Sequence, residues 1–271
     1  MTTDPAPYLR HIQACRNADP ARSRLPFRLG ATQVGWLDPA LRDEVLALGA
    51  REDSDGICLA QPADLPIIAG VLAARGRFAD RRELFDVRAT PDGPALTQID
   101  RGALPAFGIE GRGVHMNGLV QRADGLHLWV ARRGADRPLD PGKLDHLVAG
   151  GIPAGLDARA TLIKEAGEEA GIAPDLAAEA VLVGDISYAM DRPEGLRRDR
   201  VFCFDLTLPD SFVPRAVDGE AAGFELWPIE RVRDQVRDTD DFKFNVNLVL
   251  IDLFLRLGVI KGETIEKALL F

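Results

Sequence analysis

The chain has 271 residues, 46% of them hydrophobic and 28% charged, which excludes wholesale disorder and fits one large or two small domains. Lys and Arg total 33 and Asp and Glu 42, a formal charge of −9, which argues against nucleic-acid binding as the main business of the chain. If such a chain handles phosphates, a divalent cation is the obvious partner.

Residues 4–18 read as a helix with Tyr8, Leu9, Ile12 and Cys15 on one side. Asp38 caps an expected helix over 39–48, with Pro39 at its first position and Gly49 after its end. A second helix is expected over 63–74. Short strands are expected at 56–60, 83–88 and 96–99, the last two parted by a Thr-Pro-Asp-Gly-Pro turn. This stretch is α+β and carries no catalytic motif.

From Gly113 the texture changes. Residues 114–120 and 126–131 read as a hairpin around Ala123-Asp124-Gly125. A strand is expected at 144–149. A glycine-rich loop, 150–155, leads into a helix over Ala158–Ala170 closed by Gly171. Strands at 181–188, 201–208 and 224–227 follow, then helices at 229–237 and 244–257. The pattern predicts an α+β chain with a boundary near residues 108–112. An accessory α+β domain over 1–110 precedes a second domain over 111–271. Residues 1–110 hold 13 basic and 15 acidic groups and residues 111–271 hold 20 and 27, so most of the negative charge lies in the second part.

Cys15, Cys58 and Cys203 are far apart and form no Cys-x-x-Cys, so a reducing, cytoplasmic setting without disulfides is expected. No signal peptide is read in residues 1–10. The apolar stretch 247–257 is broken by Asp252 and Arg256 and is too short for a membrane span.

The helix over Ala158–Ala170 carries the most information. Glu165, Glu168 and Glu169 share about a 100° arc of its surface. Like charges three and four apart repel by about 0.2–0.5 kcal/mol per pair. The carboxylates also sit toward the C-terminus, the negative end of the helix. Lys164 can pair with Glu168 but not with all three. Two readings stand: a solvated acidic face, or a seat for Mg²⁺ or Mn²⁺, hard cations that take oxygen ligands and bridge to phosphates. The glycine-rich loop before the helix favours the second, because it brings bare backbone close to the arc.

These residues resemble the Nudix box, Gly-x5-Glu-x7-Arg-Glu-U-x-Glu-Glu-x-Gly-U, with U a bulky apolar residue. Gly150 matches the first glycine, Glu165 the Glu of Arg-Glu, and Glu168-Glu169-Ala170-Gly171-Ile172 the end of the box. Leu156 replaces the first Glu, Lys164 the Arg, and Ala166 is small at a U position. The segments 113–118, 128–133, 141–145 and 148–153, with Ile186-Ser187-Tyr188, Asp218-Gly219-Glu220 and Phe224-Glu225-Leu226, are similar to the thiamine-pyrophosphokinase-related Nudix subfamily, whose members also carry an N-terminal α+β region.

The resemblance implies a Nudix α/β/α sandwich, a mixed sheet with the Nudix helix packed on it. It implies metal-dependent hydrolysis of a diphosphate linkage, in thiamine diphosphate or its oxidised forms, to give the monophosphate. ADP-ribose- or NADH-type substrates, or a ligand-binding module with weak catalysis, are the alternatives. Metal ligands are assigned to Glu165, Glu168, Glu169 and the Gly150 carbonyl, and the base to Glu165 or Glu220. His115 and Asn117 share strand parity and are candidate substrate contacts. Lys143 and Asp145, which also share parity, Gly151 and Tyr188 join them. His11, His127 and His146 show no ligand spacing and read as structural. The expected partner is a small diphosphate, with neither nucleic acid nor membrane. The accessory part is a specificity element, a homodimer surface or a packing partner.

Overall fold

The computed structural model describes residues 3–270. The first part runs α1 (Ala6–Cys15), α2 (Pro20–Ser23), β1 (Leu25–Leu29), β2 (Thr32–Leu37), α3 (Arg42–Ala47), β3 (Arg51–Asp53), β4 (Gly56–Leu59) and α4 (Asp64–Ala74). It continues with β5 (Leu84–Arg88), β6 (Ala95–Asp100) and α5 (Leu104–Phe107). The second part runs β7 (Glu110–Arg122), β8 (Gly125–Arg133), β9 (Leu144–Asp145), β10 (Val148–Gly151), α6 (Ala158–Ala170) and α7 (Pro174–Ala178). Then come β11 (Val181–Arg192), β12 (Gly195–Thr207), β13 (Ala221–Pro228), α8 (Ile229–Asp238), α9 (Phe244–Arg256) and α10 (Glu263–Leu269).

Strands β11-β12-β7-β8-β13 lie side by side in that order, with β10 added to β7 and β9 to β8. The β12–β7 pair is parallel and the others are antiparallel, so the sheet is mixed. Its two faces are covered by different helices. On one face Leu162, Ala166 and Ala170 of α6 pack with Val114, Met116 and Phe204. On the other, Val249, Leu250 and Phe254 of α9 pack with Leu128, Val130 and Cys203. The result is the expected helix–sheet–helix sandwich. Helix α1 joins this second face, since Tyr8, Ile12 and Cys15 are buried in the same cluster as α9. A separate core formed by Phe27, Leu37, Ile57, Leu65, Leu72 and Phe107 holds the four-stranded sheet β2-β1-β4-β3 and its helices.

Several local expectations change. The expected strand over 144–149 is two short strands with different partners: β9 pairs with β8, β10 with β7. The chain crosses between them at His146, whose N–H donates to its neighbour Asp145 Oδ1 at 2.9 Å. The expected helix over 39–48 opens with a 3-10 turn, Pro39–Leu41, in which Ala40 N–H donates to Asp38 Oδ1, and only then becomes α3. Strands β1 and β2 escape a pattern reading because Pro26 and Gly35 interrupt it. Gly35 is there for close approach, since a Cβ would lie 2.4 Å from the Phe107 carbonyl oxygen. Cys15, Cys58 and Cys203 are free thiols, and burial pushes Cys15 up to about 12. Among the described residues no helix is long and apolar enough to cross a membrane.

Candidate active site

Helix α6 begins where Asp157 Oδ1 accepts from Ala160 N–H at 2.7 Å. It ends at Gly171, whose φ of 66° lets Ile172 N–H reach back to the Ala166 carbonyl. Leu162 is fully buried beneath it. Burying one such leucine contributes about 1.5–3 kcal/mol, against roughly 0.2–0.5 kcal/mol for each repelling glutamate pair. Packing therefore wins, and the helix forms with its acidic arc in place whether or not a cation is bound.

The arc is uneven. Glu169 reaches across to β10, where its Oε2 accepts from Ala149 N–H at 2.8 Å. Burial pushes its carboxyl well above the usual carboxylate range, with Asp145, Glu165 and Glu220 adding like-charge repulsion. Glu165 lies against Gly150: a Cβ there would be 2.6 Å from Glu165 Cγ and 2.9 Å from its Oε2. Its carboxyl too is raised, chiefly by burial. Glu168 is exposed, and Lys164 Nζ bonds it at 2.6 Å and Glu165 at 3.1 Å. These bonds, led by the one to Glu168, push the Lys164 amine up to about 12. Leu156 is 37% exposed at the loop.

A cleft beside the arc is lined by Glu169, Glu220, Asp145, His146, Arg132 and Arg133 among others. Glu220 enters it from the start of β13 and pairs with Arg137 at 2.6 Å. Asp145 is buried and anchored by Arg133 at 2.6 Å and Lys243 at 3.6 Å. Burial alone would raise its carboxyl, but Lys243 and Arg133 hold it far below the usual range.

Of the remaining candidates, His115, Asn117 and Tyr188 lie on the α9 face of the sheet. His115 Nδ1 and His146 Nδ1 are hydrogen-bonded at 2.8 Å, and His115 Nε2 approaches Asn245 Nδ2 at 3.4 Å. Asn117 is buried and donates to Asp205 Oδ1 at 2.8 Å. Tyr188 is 5% exposed, donates to Asp199 Oδ2 at 2.5 Å, and packs edge-on against Phe244. Lys143 Nζ donates to the Asp240 carbonyl at 2.7 Å, away from the acidic arc. Gly151 faces Phe85 of the β5–β6 hairpin, where a Cβ would lie 2.6 Å from the ring. The structure thus gathers Glu165, Glu169, Glu220, Asp145 and Gly150 around one junction and keeps His115, Asn117, Tyr188 and Lys143 apart from its lining.

His146 is the residue that spacing missed. It lines the cleft, and its Nε2 is buried without a hydrogen-bond partner among the described residues. The break between β9 and β10 turns it inward. His115, Asp145 and His146 offer three donor atoms within 4.8 Å of one another, a group that could hold a metal ion. Two features disfavour a cation there. Arg133 and Lys243 already neutralise Asp145, and the histidines spend their facing nitrogens on each other. The glutamate set, in which Glu165 and Glu169 are raised by burial and repel each other, fits a hard cation better.

No family model matches the chain. It is 43% identical over 184 residues to Nudix hydrolase 20, chloroplastic, of Arabidopsis thaliana, a match covering 68% of this chain and 49% of that protein. The chain is a relative of the Nudix hydrolases. Nudix hydrolase 24, chloroplastic, of the same plant is 44% identical over 184 residues, covering 68% of this chain and 50% of that protein. The chain spans about half the length of the curated relatives it matches. Among solved structures, DR0079 from Deinococcus radiodurans is 18% identical with a TM-score of 0.48, over 62% of this chain and 97% of that one.

Proposed function

We propose that this Nudix relative is a hydrolase that cleaves a diphosphate linkage with Mg²⁺ or Mn²⁺ held by Glu165, Glu168, Glu169 and the Gly150 carbonyl. The observation that supports it most is the pair Glu165 and Glu169. Both carboxyls are pressed into the loop–helix junction and raised by burial, and among the described residues Glu169 has no ion-pair partner. The Glu169 oxygens are short of positive charge, and Glu165 shares its one cation, Lys164, with Glu168. Divalent cations there would screen the diphosphate oxygens and stabilise the charge that develops at phosphorus.

The chain's own groups supply the rest. Glu165, half-buried and raised, or Glu220, across the cleft, takes the proton from the attacking water as the bridging P–O bond breaks. Arg137 holds Glu220 in place. Asp145, fixed by Arg133 and Lys243, borders the cleft and contacts substrate there, with Gly151 at the loop. His115, Asn117 and Tyr188 hold the sheet beneath the site, and Lys143 ties the β9 region to residue 240.

The substrate reading is thiamine diphosphate or its oxidised analogues, cleaved to the monophosphate. It rests on the subfamily-like segments around the box. The proposed division into an accessory domain, 1–110, and a hydrolase domain, 111–271, sets the four-stranded sheet and the β5–β6 hairpin apart from the seven-stranded sheet, with α1 packed on the hydrolase side. A catalytically weak binding module is the competing reading, favoured by Leu156 and by Lys164, which occupies two of the three glutamates.

The test is a turnover panel: thiamine diphosphate, its oxidised forms, ADP-ribose and NADH, each with Mg²⁺ and with Mn²⁺. Monophosphate release from the thiamine compounds supports the proposal. Turnover confined to ADP-ribose or NADH moves the substrate to the nucleotide class. Tight binding without turnover of any of them supports the module.

A further inference from the structure

A second, larger pocket, about 370 Å³, opens where the N-terminal sheet meets the first residues of β7. Its walls come from β2, from β5 and the turn after it, and from the adjacent strands β7 and β12. It shares no lining residue with the cleft at Glu169 and Glu220.

Arg88, Arg112 and Arg198 line it. Arg198 pairs with Glu110 and Arg200 with Arg112 in the parallel β12–β7 register, so Glu110, Arg112 and Arg198 share one side of the sheet. Arg112 and Arg198 are half-buried, and among the described residues neither has a carboxylate within ion-pair distance. Arg112 lies over the Phe202 ring at 5.0 Å, and its Nε is buried with no hydrogen-bond partner among the described residues. Among the described residues Arg198 gives one side-chain bond, Nη1 to the Gly108 carbonyl at 3.0 Å. The third, Arg88, is engaged by Asp86 at 2.7 Å.

A guanidinium keeps its charge under any physiological condition. Two of them, half-buried and without counter-ions, are stabilised by an incoming anion. Their planar donor forks suit phosphate oxygens better than an ammonium does. Of the two carboxyls in the wall, Asp86 is tied to Arg88, and the Glu110 carboxyl is raised by burial and lies outside ion-pair distance of Arg112 and Arg198 among the described residues. The volume exceeds what a bare phosphate fills and falls in the range of small-molecule sites. Trp36, Val34 and Pro91 supply the apolar wall.

We propose that this pocket binds a small organic phosphate, with the phosphate between Arg112 and Arg198 and the organic group against Trp36. The site is distinct from the metal-assisted cleft and needs no metal. Its occupant would touch β5, which also contacts the catalytic loop: Phe85 packs on Gly151, and the Ala154 N–H donates to the Leu84 carbonyl at 2.7 Å.

The experiment is calorimetric titration of the full chain in EDTA with adenosine monophosphate and with inorganic phosphate. The expected result is saturable binding of one adenosine monophosphate per chain, about tenfold tighter than phosphate. Arg112→Lys with Arg198→Gln weakens it by about tenfold or more, Trp36→Ala weakens adenosine monophosphate but not phosphate, and Glu168→Gln leaves the affinity unchanged. Absence of saturable binding up to millimolar ligand overturns the proposal. So does an affinity unaffected by the arginine changes in protein that melts as wild type, or one lost in Glu168→Gln. Equal affinity for the two probes overturns the placement of the organic group. Because no metal is present, the outcome is independent of whether the cleft turns over a diphosphate.

Discussion

Glu169 on α6 accepts a hydrogen bond from the Ala149 N–H on β10 at 2.8 Å. That bond links the acidic helix to the strand carrying Gly150, and it sets how closely the carboxylates approach the loop backbone. The site is a junction of helix end, strand end and loop, and changes at the junction test it.

Gly151 has the Phe85 ring where its side chain would be, 2.6 Å from an added Cβ. Gly151→Ala therefore has to move the β5–β6 hairpin or the loop. Overpacking of this kind costs about 1–3 kcal/mol. The expected outcome is a lower urea midpoint, and because Phe85 is itself a buried core residue, the double variant with Phe85→Ala loses less than the two single losses added together. A midpoint equal to wild type would show that the hairpin does not brace the loop.

Asp145 is buried between two cations, Arg133 at 2.6 Å and Lys243 at 3.6 Å. Asp145→Asn keeps the shape and leaves both cations without their anion. Removing one partner of a buried ion pair costs about 3–5 kcal/mol. Denaturant unfolding should report a loss of that order, and adding Lys243→Met should recover part of it. A loss below the usual scatter for surface changes would contradict the burial described for this group.

His115 and His146 face each other through their Nδ1 atoms, so one donates and the other accepts, and the pair is neutral. Burial pulls both below the usual imidazole range, His146 to about 4. In the unfolded chain each takes a proton near pH 6.5, while the folded pair does not. The unfolded state therefore binds more protons, and stability falls as pH drops from about 6.5 toward 4, by up to roughly 1.4 kcal/mol per pH unit for each group. Urea denaturation at pH 7, 6 and 5 checks this, and the same series in Glu169→Gln removes the opposite contribution of that raised carboxyl. The fall should be shallower in His146→Asn. A flat profile from pH 7 to 5 would rule out two neutral buried histidines.

Much of the fold was legible because its signals are local. The glycine-rich loop and Gly171 bracket the acidic helix, and α6 runs over Ala158–Ala170 as expected, with the structure adding Asp157 as its cap. The alternation in 114–120 likewise marks the core of β7, whose faces see different helices. What escaped was decided by distant partners. The β9–β10 break depends on which strand each half joins, and that break turns His146 into the cleft. Gly35 looks like a strand breaker until Phe107 closes over it. The arginine pocket is assembled from residues between 33 and 198, a grouping with no signature along the chain. Lys164 was legible as a partner for Glu168, and its second bond, to Glu165, was not.

The central claim is that the α6 glutamates act through a divalent cation on a diphosphate. The most direct measurement is monophosphate release from thiamine diphosphate and its oxidised forms, with Mg²⁺, with Mn²⁺ and in EDTA, by wild type and by Glu168→Gln and Glu169→Gln. The account predicts metal-dependent release that disappears in EDTA and falls on the order of 10²-fold or more in each variant, with melting behaviour preserved. Release that persists in EDTA, or folded variants that keep wild-type rates, would contradict it.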